Sequence, residues 1–244
     1  MSRLIHDGMV VDTFSSSASI GRGTALFLNG FPGAIGPLPG VLAALERGWE
    51  VIFPQYPGTY DSGGEFSPGN ASRALAAMLR SPSFTGKLIK APTIAIAHSF
   101  GALILVDLIR QYPQLPIKKV LLLAPVISYQ LNPDLGIREE LLPHLEGVIK
   151  SHPMTYRIGN MTDWKAIAAG LHTIEQAGPW TGLIRAVVGD GDDTYALDIF
   201  QRCFSSAVTE LLGCSDVSLE IISSAGHAMH ELLPTSKSVG DVLG

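Results

Sequence analysis

The sequence predicts an α/β fold: a three-layer α/β/α sandwich around a mostly parallel central sheet. Three observations point there. Apolar, β-branched runs of strand length recur along the chain, helix-length segments separate them, and 46% of the residues are apolar against 16% charged. Runs of this kind suit strands covered on both faces, and strict strand–helix alternation makes right-handed crossovers and parallel pairing the economical solution. The 244 residues are enough for one domain with a large core and a small insertion.

The elements follow in order. Leu4 to Phe14 alternates around Asp7-Gly8 and reads as a short antiparallel strand or hairpin at the sheet edge. Buried strands are expected at Thr24 to Leu28, Glu50 to Phe53, Thr93 to Ala97, Lys119 to Leu123, Leu183 to Val188 and Leu219 to Ile222. Helices are expected at Leu38 to Arg47, Ala71 to Arg80, Phe100 to Gln111 and Ile199 to Leu212. The rhythm breaks over residues 131–179, which carry helical patterns, Tyr156 and Trp164 but no strand. That stretch reads as an inserted helical lid over the carboxyl ends of the strands, where open α/β sheets bind ligands. The whole chain, 1–244, is then a single domain carrying this insertion.

Composition narrows the function. A net charge of −5 with scattered Lys and Arg provides no cationic stripe for a phosphate backbone or an anionic bilayer, so neither nucleic acid nor membrane is expected as a partner. Cys203 and Cys214, the only two cysteines, are too few for a disulfide scaffold or a Cys-based zinc site and are expected to be reduced and buried. His6, Asp7 and Gly8 interrupt any signal-peptide apolar core near the start, and no stretch reaches the roughly 18 to 20 apolar residues that span a bilayer. A cytoplasmic protein is expected. An apolar, lightly charged surface is compatible with a homodimer.

The chemistry centres on Ala97-His98-Ser99-Phe100-Gly101, which follows the strand TIAIA and opens the helix FGALILVDLI. A serine on such a strand–turn–helix junction projects its hydroxyl above the sheet, and small neighbours let strand and helix approach. The pentapeptide resembles the G-x-S-x-G nucleophile elbow of the α/β-hydrolase superfamily, with Ala97 in place of the usual first glycine. That resemblance implies the α/β-hydrolase fold with Ser99 as nucleophile.

A serine hydroxyl needs a base to accept its proton. His227 in Ser224-Ala225-Gly226-His227 follows the strand LEII, matching the G-H that ends the last strand in this superfamily, with His230 as the rival. His98 is expected to point away from Ser99 because consecutive side chains diverge. Among Val187 to Thr194, Asp190, Asp192 and Asp193 are candidate carboxylates for the base. The superfamily's G-x-x-D pattern falls on Gly189 and Asp192, which implies Asp192.

Acyl transfer also needs two backbone N–H donors for the oxyanion. The resemblance implies Phe100, after the nucleophile, and Phe31, in Asn29-Gly30-Phe31-Pro32-Gly33. That loop is similar to the superfamily's H-G-x-P-G, with Asn29 replacing the more frequent histidine and altering how the loop is anchored. Tyr60 and Glu65 in the Ser/Gly-rich loop after the next strand, and Trp164 in the lid, are candidate substrate contacts. Apolar lid residues Leu141, Leu145, Met154 and Leu171 suggest a greasy pocket.

The implied activity is a serine hydrolase of the carboxylesterase or thioesterase kind, cleaving an ester or thioester of a small-molecule acyl substrate through an acyl-enzyme. It needs no metal and no organic cofactor. Serine at the elbow disfavours an aspartate-nucleophile dehalogenase, and the absence of H-E-x-x-H disfavours a zinc hydrolase. The alternatives are a lyase or a C–C bond-cleaving or cyclising enzyme that uses the same triad as an acid–base device, and a non-catalytic binding module.

Overall fold

In the computed structural model of the chain, which describes residues 1–15, 22–36, 38–127, 142–158, 179–194, 196–230 and 236–244, the first turn is set by Asp7-Gly8. Both take positive φ, 46° and 79°, the combination that closes a two-residue hairpin with the twist of its strands. It joins β1 (Ser2–His6) to β2 (Met9–Phe14), with His6 opposite Met9. β2 then pairs antiparallel with β4 (Glu50–Pro54), so the expected hairpin is appended to the sheet edge.

The other strands are β3 (Thr24–Leu28), β5 (Ile94–His98), β6 (Lys119–Leu123), β7 (Leu183–Gly189) and β8 (Asp216–Ile222). From β4 to β8 every pairing is parallel, in the order β1-β2-β4-β3-β5-β6-β7-β8. β8 starts three residues before the apolar run suggests. It is an edge strand, and its alternation of Asp216, Ser218 and Glu220 with Val217, Leu219 and Ile221 is half-exposed, a pattern that a search for fully buried runs passes over.

Helices α1 (Pro39–Glu46), α2 (Pro68–Arg80), a short α3 (Pro82–Thr85), α4 (Phe100–Gln111), α5 (Leu142–Ser151), α6 (Leu197–Leu212) and α7 (Lys237–Leu243) complete the described elements. α2 begins earlier than expected because Ser67 caps it, accepting from Asn70 N, with Pro68 in the first turn, where a missing N–H costs nothing. α7 starts the same way, its Ser236 side chain accepting from Val239 N.

The strands sort their side chains by parity. Leu26, Leu28, Ala95, Ala97 and Leu122 pack with α2, α4 and α6 on one face. Ala25, Phe27, Ile94, Ile96, Leu121 and Leu123 pack with α1 and α7 on the other. This is the predicted three-layer sandwich. α4 lies between sheet and neighbours with Phe100 to Ile109 all buried, and each large apolar side chain so buried contributes about 1.5–3 kcal/mol.

Of the stretch read as a lid, Leu141, Trp164 and Leu171 lie outside the described residues. Within it, α5 buries Ile149, and Leu145 packs partly against the core, whereas Met154 is 83% exposed. Residues after α5 are stitched to the loop following β4. Tyr60 N donates to Thr155 O, Arg157 N to Gly58 O and Phe66 N to Arg157 O, at 2.7–2.8 Å. Both cysteines are free; Cys214 is buried, but Cys203 is only partly so, because it sits on the outer flank of α6. Among the described residues no helix is long and apolar enough to cross a membrane.

Candidate active site

β5 delivers the chain to Ser99 at the central position of the sheet, and Ser99 takes φ 52°, ψ −124°, a region that a non-glycine residue enters only when its surroundings enforce it. Here they do. Ser99 N donates to Leu123 O, and Ser99 O accepts from Ala102 N and Val126 N. A methyl group on Gly101 would stand 2.3 Å from Leu28 O and 2.6 Å from Asn29 O, and one on Gly30 would stand 3.2 Å from Ser99 Cβ. Both glycines are therefore what lets α4 and the loop after β3 close onto the turn. Ala97, where a glycine is more usual, is fully buried in β5 between Leu28 and Leu122, and its methyl is accommodated without disturbing the turn.

The other chemistry-bearing residues come from the ends of β7 and β8. His227 Nε2 lies 2.8 Å from Ser99 Oγ, and His227 Nδ1 lies 2.8 Å from Asp192 Oδ2. Thr194 N donates to Asp192 Oδ1 at 2.9 Å, and Thr194 Oγ1 stands 2.9 Å from His227 Nδ1. Burial of Asp192 raises its pKa, but hydrogen bonding and charge from His227, with donors from Thr194, outweigh that and hold it below the usual 3.8. An ionised carboxylate only accepts, so the proton sits on Nδ1 and leaves the Nε2 lone pair for the serine hydroxyl.

Glycine again explains the approach. A methyl group on Gly189 would meet Ala225 O at 1.9 Å, so only glycine lets the end of β7 touch the His227 loop. Of the rival carboxylates, Asp190 accepts from Ser224 N at 2.5 Å and from Ser223 Oγ at 3.1 Å, holding the turn that precedes His227, while Asp193 is exposed. His230 is exposed as well and lines the cavity at Ser99.

Asn29 does anchor its loop. Its Oδ1 accepts from Gly30 N at 2.8 Å and its Nδ2 donates to Ala34 O at 2.6 Å, bracing the turn from inside, while Tyr56 OH donates to Asn29 O at 2.7 Å. The peptide Phe31-Pro32 is cis. Phe31 stacks on Phe66 with ring centres 3.9 Å apart and meets Tyr156 edge-on at 5.2 Å. Phe31 thus follows the glycine that touches Ser99, and Phe100 opens α4 directly after the serine.

Neither Tyr60 nor Glu65 is among the residues lining the cavity at Ser99. Tyr60 OH lies 3.4 Å from Tyr156 OH, in a small recess behind the loop after β3, and Glu65 is exposed. Trp164 lies outside the described residues. A cavity of about 170 Å³ does open at the serine, walled by Leu38, Leu123 and Met229 and bearing His98, His227 and Asn29.

Three residues that the motifs did not single out belong to this arrangement: Thr194, Tyr156 and His98. Thr194 was legible, since an aspartate two residues before it commonly accepts its N–H in a turn. Tyr156, whose hydroxyl donates to Gly33 O at 2.9 Å, carries no local signal. His98 was expected to turn away from Ser99, yet both residues line the same cavity; its ring centre is 5.4 Å from that of His227 and its Nε2 is 2.8 Å from His227 O.

A family model described as "Alpha/beta hydrolase family" matches residues 25–234. No curated protein matches the sequence. Solved structures share the fold at low identity. Alpha/beta hydrolase domain-containing protein 10 from mouse is 16% identical with a TM-score of 0.61, covering 99% of this chain and 94% of its own. Est1E from Butyrivibrio proteoclasticus, with ferulic acid bound, is 14% identical with a TM-score of 0.63, covering 99% and 97%. Potato (Solanum tuberosum) epoxide hydrolase I is 15% identical with a TM-score of 0.62, covering 98% and 97%.

Proposed function

Because the chain belongs to the alpha/beta hydrolase family, and members of one fold differ in chemistry through the residues at the site, we propose from those residues that it is a serine hydrolase. Its substrate is a carboxylic ester or thioester of a small molecule. The observation that carries the reading is the unbroken relay from Ser99 Oγ through both ring nitrogens of His227 to the buried Asp192, each contact 2.8 Å.

In this reading His227 Nε2 takes the proton as Ser99 Oγ attacks the carbonyl carbon, and Asp192 stabilises the resulting imidazolium. The tetrahedral oxyanion receives hydrogen bonds from the backbone N–H groups of Phe31 and Phe100. Collapse breaks the bond to the leaving group, which takes the proton from His227, and leaves an ester on Ser99 Oγ. Water, giving its proton to His227, then hydrolyses that ester and restores the serine. Every proton moves through one imidazole, so the reaction closes with the chain's own residues.

The test is intact-mass analysis after treatment with a fluorophosphonate, on wild type and Ser99→Ala, alongside turnover of short and medium p-nitrophenyl esters. Labelling that disappears in Ser99→Ala, with ester turnover, is the expected result. Labelling without turnover of any ester or thioester would replace the hydrolase with a lyase using the same triad. A folded wild type that takes no label would overturn the reading in favour of a binding module.

A further inference from the structure

His227 is gripped at both ends by consecutive residues of one turn. Ser99 Oγ meets its ring at Nε2, 2.8 Å away, and His98 Nε2 stands 2.8 Å from its main-chain oxygen. The turn brings both side chains to one residue: Ser99 reaches the ring while His98 reaches the backbone. A carbonyl oxygen can only accept, so Nε2 of His98 carries the proton and Nδ1 the lone pair. Burial of the His98 ring pushes its pKa down to about 4, which leaves the ring neutral at ordinary pH with its one N–H given to this bond.

The rest of the loop after β8 is held elsewhere. Ser224 N is taken by Asp190, Ala225 O by Gly191 N, and Gly226 O by Met229 N. Among the contacts described, the bond from His98 is the one that fixes the main chain of residue 227 to the element carrying Ser99. Without it the imidazole is still drawn to Asp192, but the main chain of residue 227 loses its direct tie to the turn that carries Ser99.

We infer that His98 is a positioning residue whose Nε2–H fixes the backbone of His227, and with it the base, in the frame of the nucleophile turn. The inference rests on the reading of Ser99 and His227 as nucleophile and base. It concerns geometry in the reacting complex, where displacements of about 1 Å cost on the order of 100-fold in rate.

The experiment compares wild type, His98→Leu and His98→Gln. Leucine fills the space without a donor, and glutamine places an amide N–H at nearly the reach of Nε2. Expected in His98→Leu is a fall of about 10- to 100-fold in both kcat and the fluorophosphonate labelling rate, with KM within about threefold. His98→Gln should recover to within about fivefold of wild type. A side chain that merely fills space would be replaced by leucine at no cost in kcat and would gain nothing from glutamine. Long-range ¹H–¹⁵N spectra of the wild type, which need no folded variant, should find His98 protonated at Nε2. Wild-type labelling rates in His98→Leu, a glutamine variant no better than leucine, or a proton on Nδ1 of His98 would each overturn the inference. A wild type that takes no label would instead sink the nucleophile reading, and the His98 tautomer would still judge the hydrogen bond.

Discussion

Replacing Asp192 by asparagine changes one atom and should nearly abolish activity, for a reason that the local hydrogen bonds dictate. Thr194 N donates to Oδ1 of Asp192 at 2.9 Å, so in the variant that position must be the amide oxygen. The amide nitrogen is then forced to face His227 Nδ1, now 2.8 Å from Oδ2. Two donors cannot share that contact, so His227 must shed its Nδ1 proton and carry it on Nε2. In that tautomer it donates toward Ser99 instead of accepting from it, and no base is left for the hydroxyl. A wrong tautomer, together with loss of the carboxylate that stabilises the imidazolium, corresponds to roughly 10³- to 10⁴-fold in kcat, about 4–5 kcal/mol of transition-state stabilisation. The assay is ester turnover and fluorophosphonate labelling of Asp192→Asn beside wild type, with thermal melts as the fold control. A folded variant within tenfold of wild type would refute the reasoning and send the acid's role to another carboxylate.

Three further outcomes follow from other parts of the structure. Gly189→Ala would drive a methyl to 1.9 Å from Ala225 O; displacing that backbone should cost about 3 kcal/mol, lowering Tm by about 6–12 °C, and reduce activity with it, and a melt unchanged within 2 °C would contradict this. Tyr156→Phe removes the donor to Gly33 O while keeping the edge-on contact with Phe31; stability should fall by about 1 kcal/mol and kcat more than KM, read by a melt and a saturation curve. For pH, His98 binds its proton near 6.5 when unfolded and at about 4 when folded. The unfolded state therefore takes up the proton first: the stability due to this ring is fully present above about 6.5 and is lost as pH falls towards 4. Melting temperatures from pH 7.5 to 4.5 should decline more steeply in wild type than in His98→Gln, and parallel curves would disprove it.

The parts of the fold that were legible in the sequence are those where a single local rule decides. Asp7-Gly8 had to turn because its neighbours alternate and its residues tolerate positive φ. Phe100 to Gln111 had to be a buried helix because it is apolar all round apart from Asp107 and its last turn. The strands β3 to β7 announced themselves as apolar runs because both their faces are covered. β8 started earlier than read and α7 went unnoticed, since an edge strand half in water and a seven-residue helix begun by a serine cap leave only weak periodicity. The candidate substrate contacts are the instructive case. Tyr60 and Glu65 were singled out for their chemistry in a loop after a strand, but loop direction is set by long-range hydrogen bonds. Here Arg157 and Thr155, nearly a hundred residues away in the chain, pair with the backbone of Gly58, Tyr60 and Phe66, and the Tyr60 hydroxyl meets that of Tyr156.

The same distinction separates the reacting residues from those that place them. A proposed nucleophile, base or acid must present a particular functional group at the end of a strand, so the candidates Ser99, Asp192 and His227 could be named in chain order, the acid only through the resemblance that favours Asp192 over Asp190 and Asp193. Placement is done by contacts between elements distant in sequence, and any residue of suitable reach can serve. Asp190 exemplifies this. As a carboxylate two residues before Asp192 it was indistinguishable in kind, yet its oxygens face Ser223 and Ser224, where they shape the approach of the base instead of its protonation. Exchanging its role with that of Asp192 would require the turn at Gly191 to run the other way, and Gly191 N is already committed to Ala225 O. The glycines on either side of Asp190 thus choose which of two similar carboxylates meets the histidine, by deciding how closely the ends of β7 and β8 can lie.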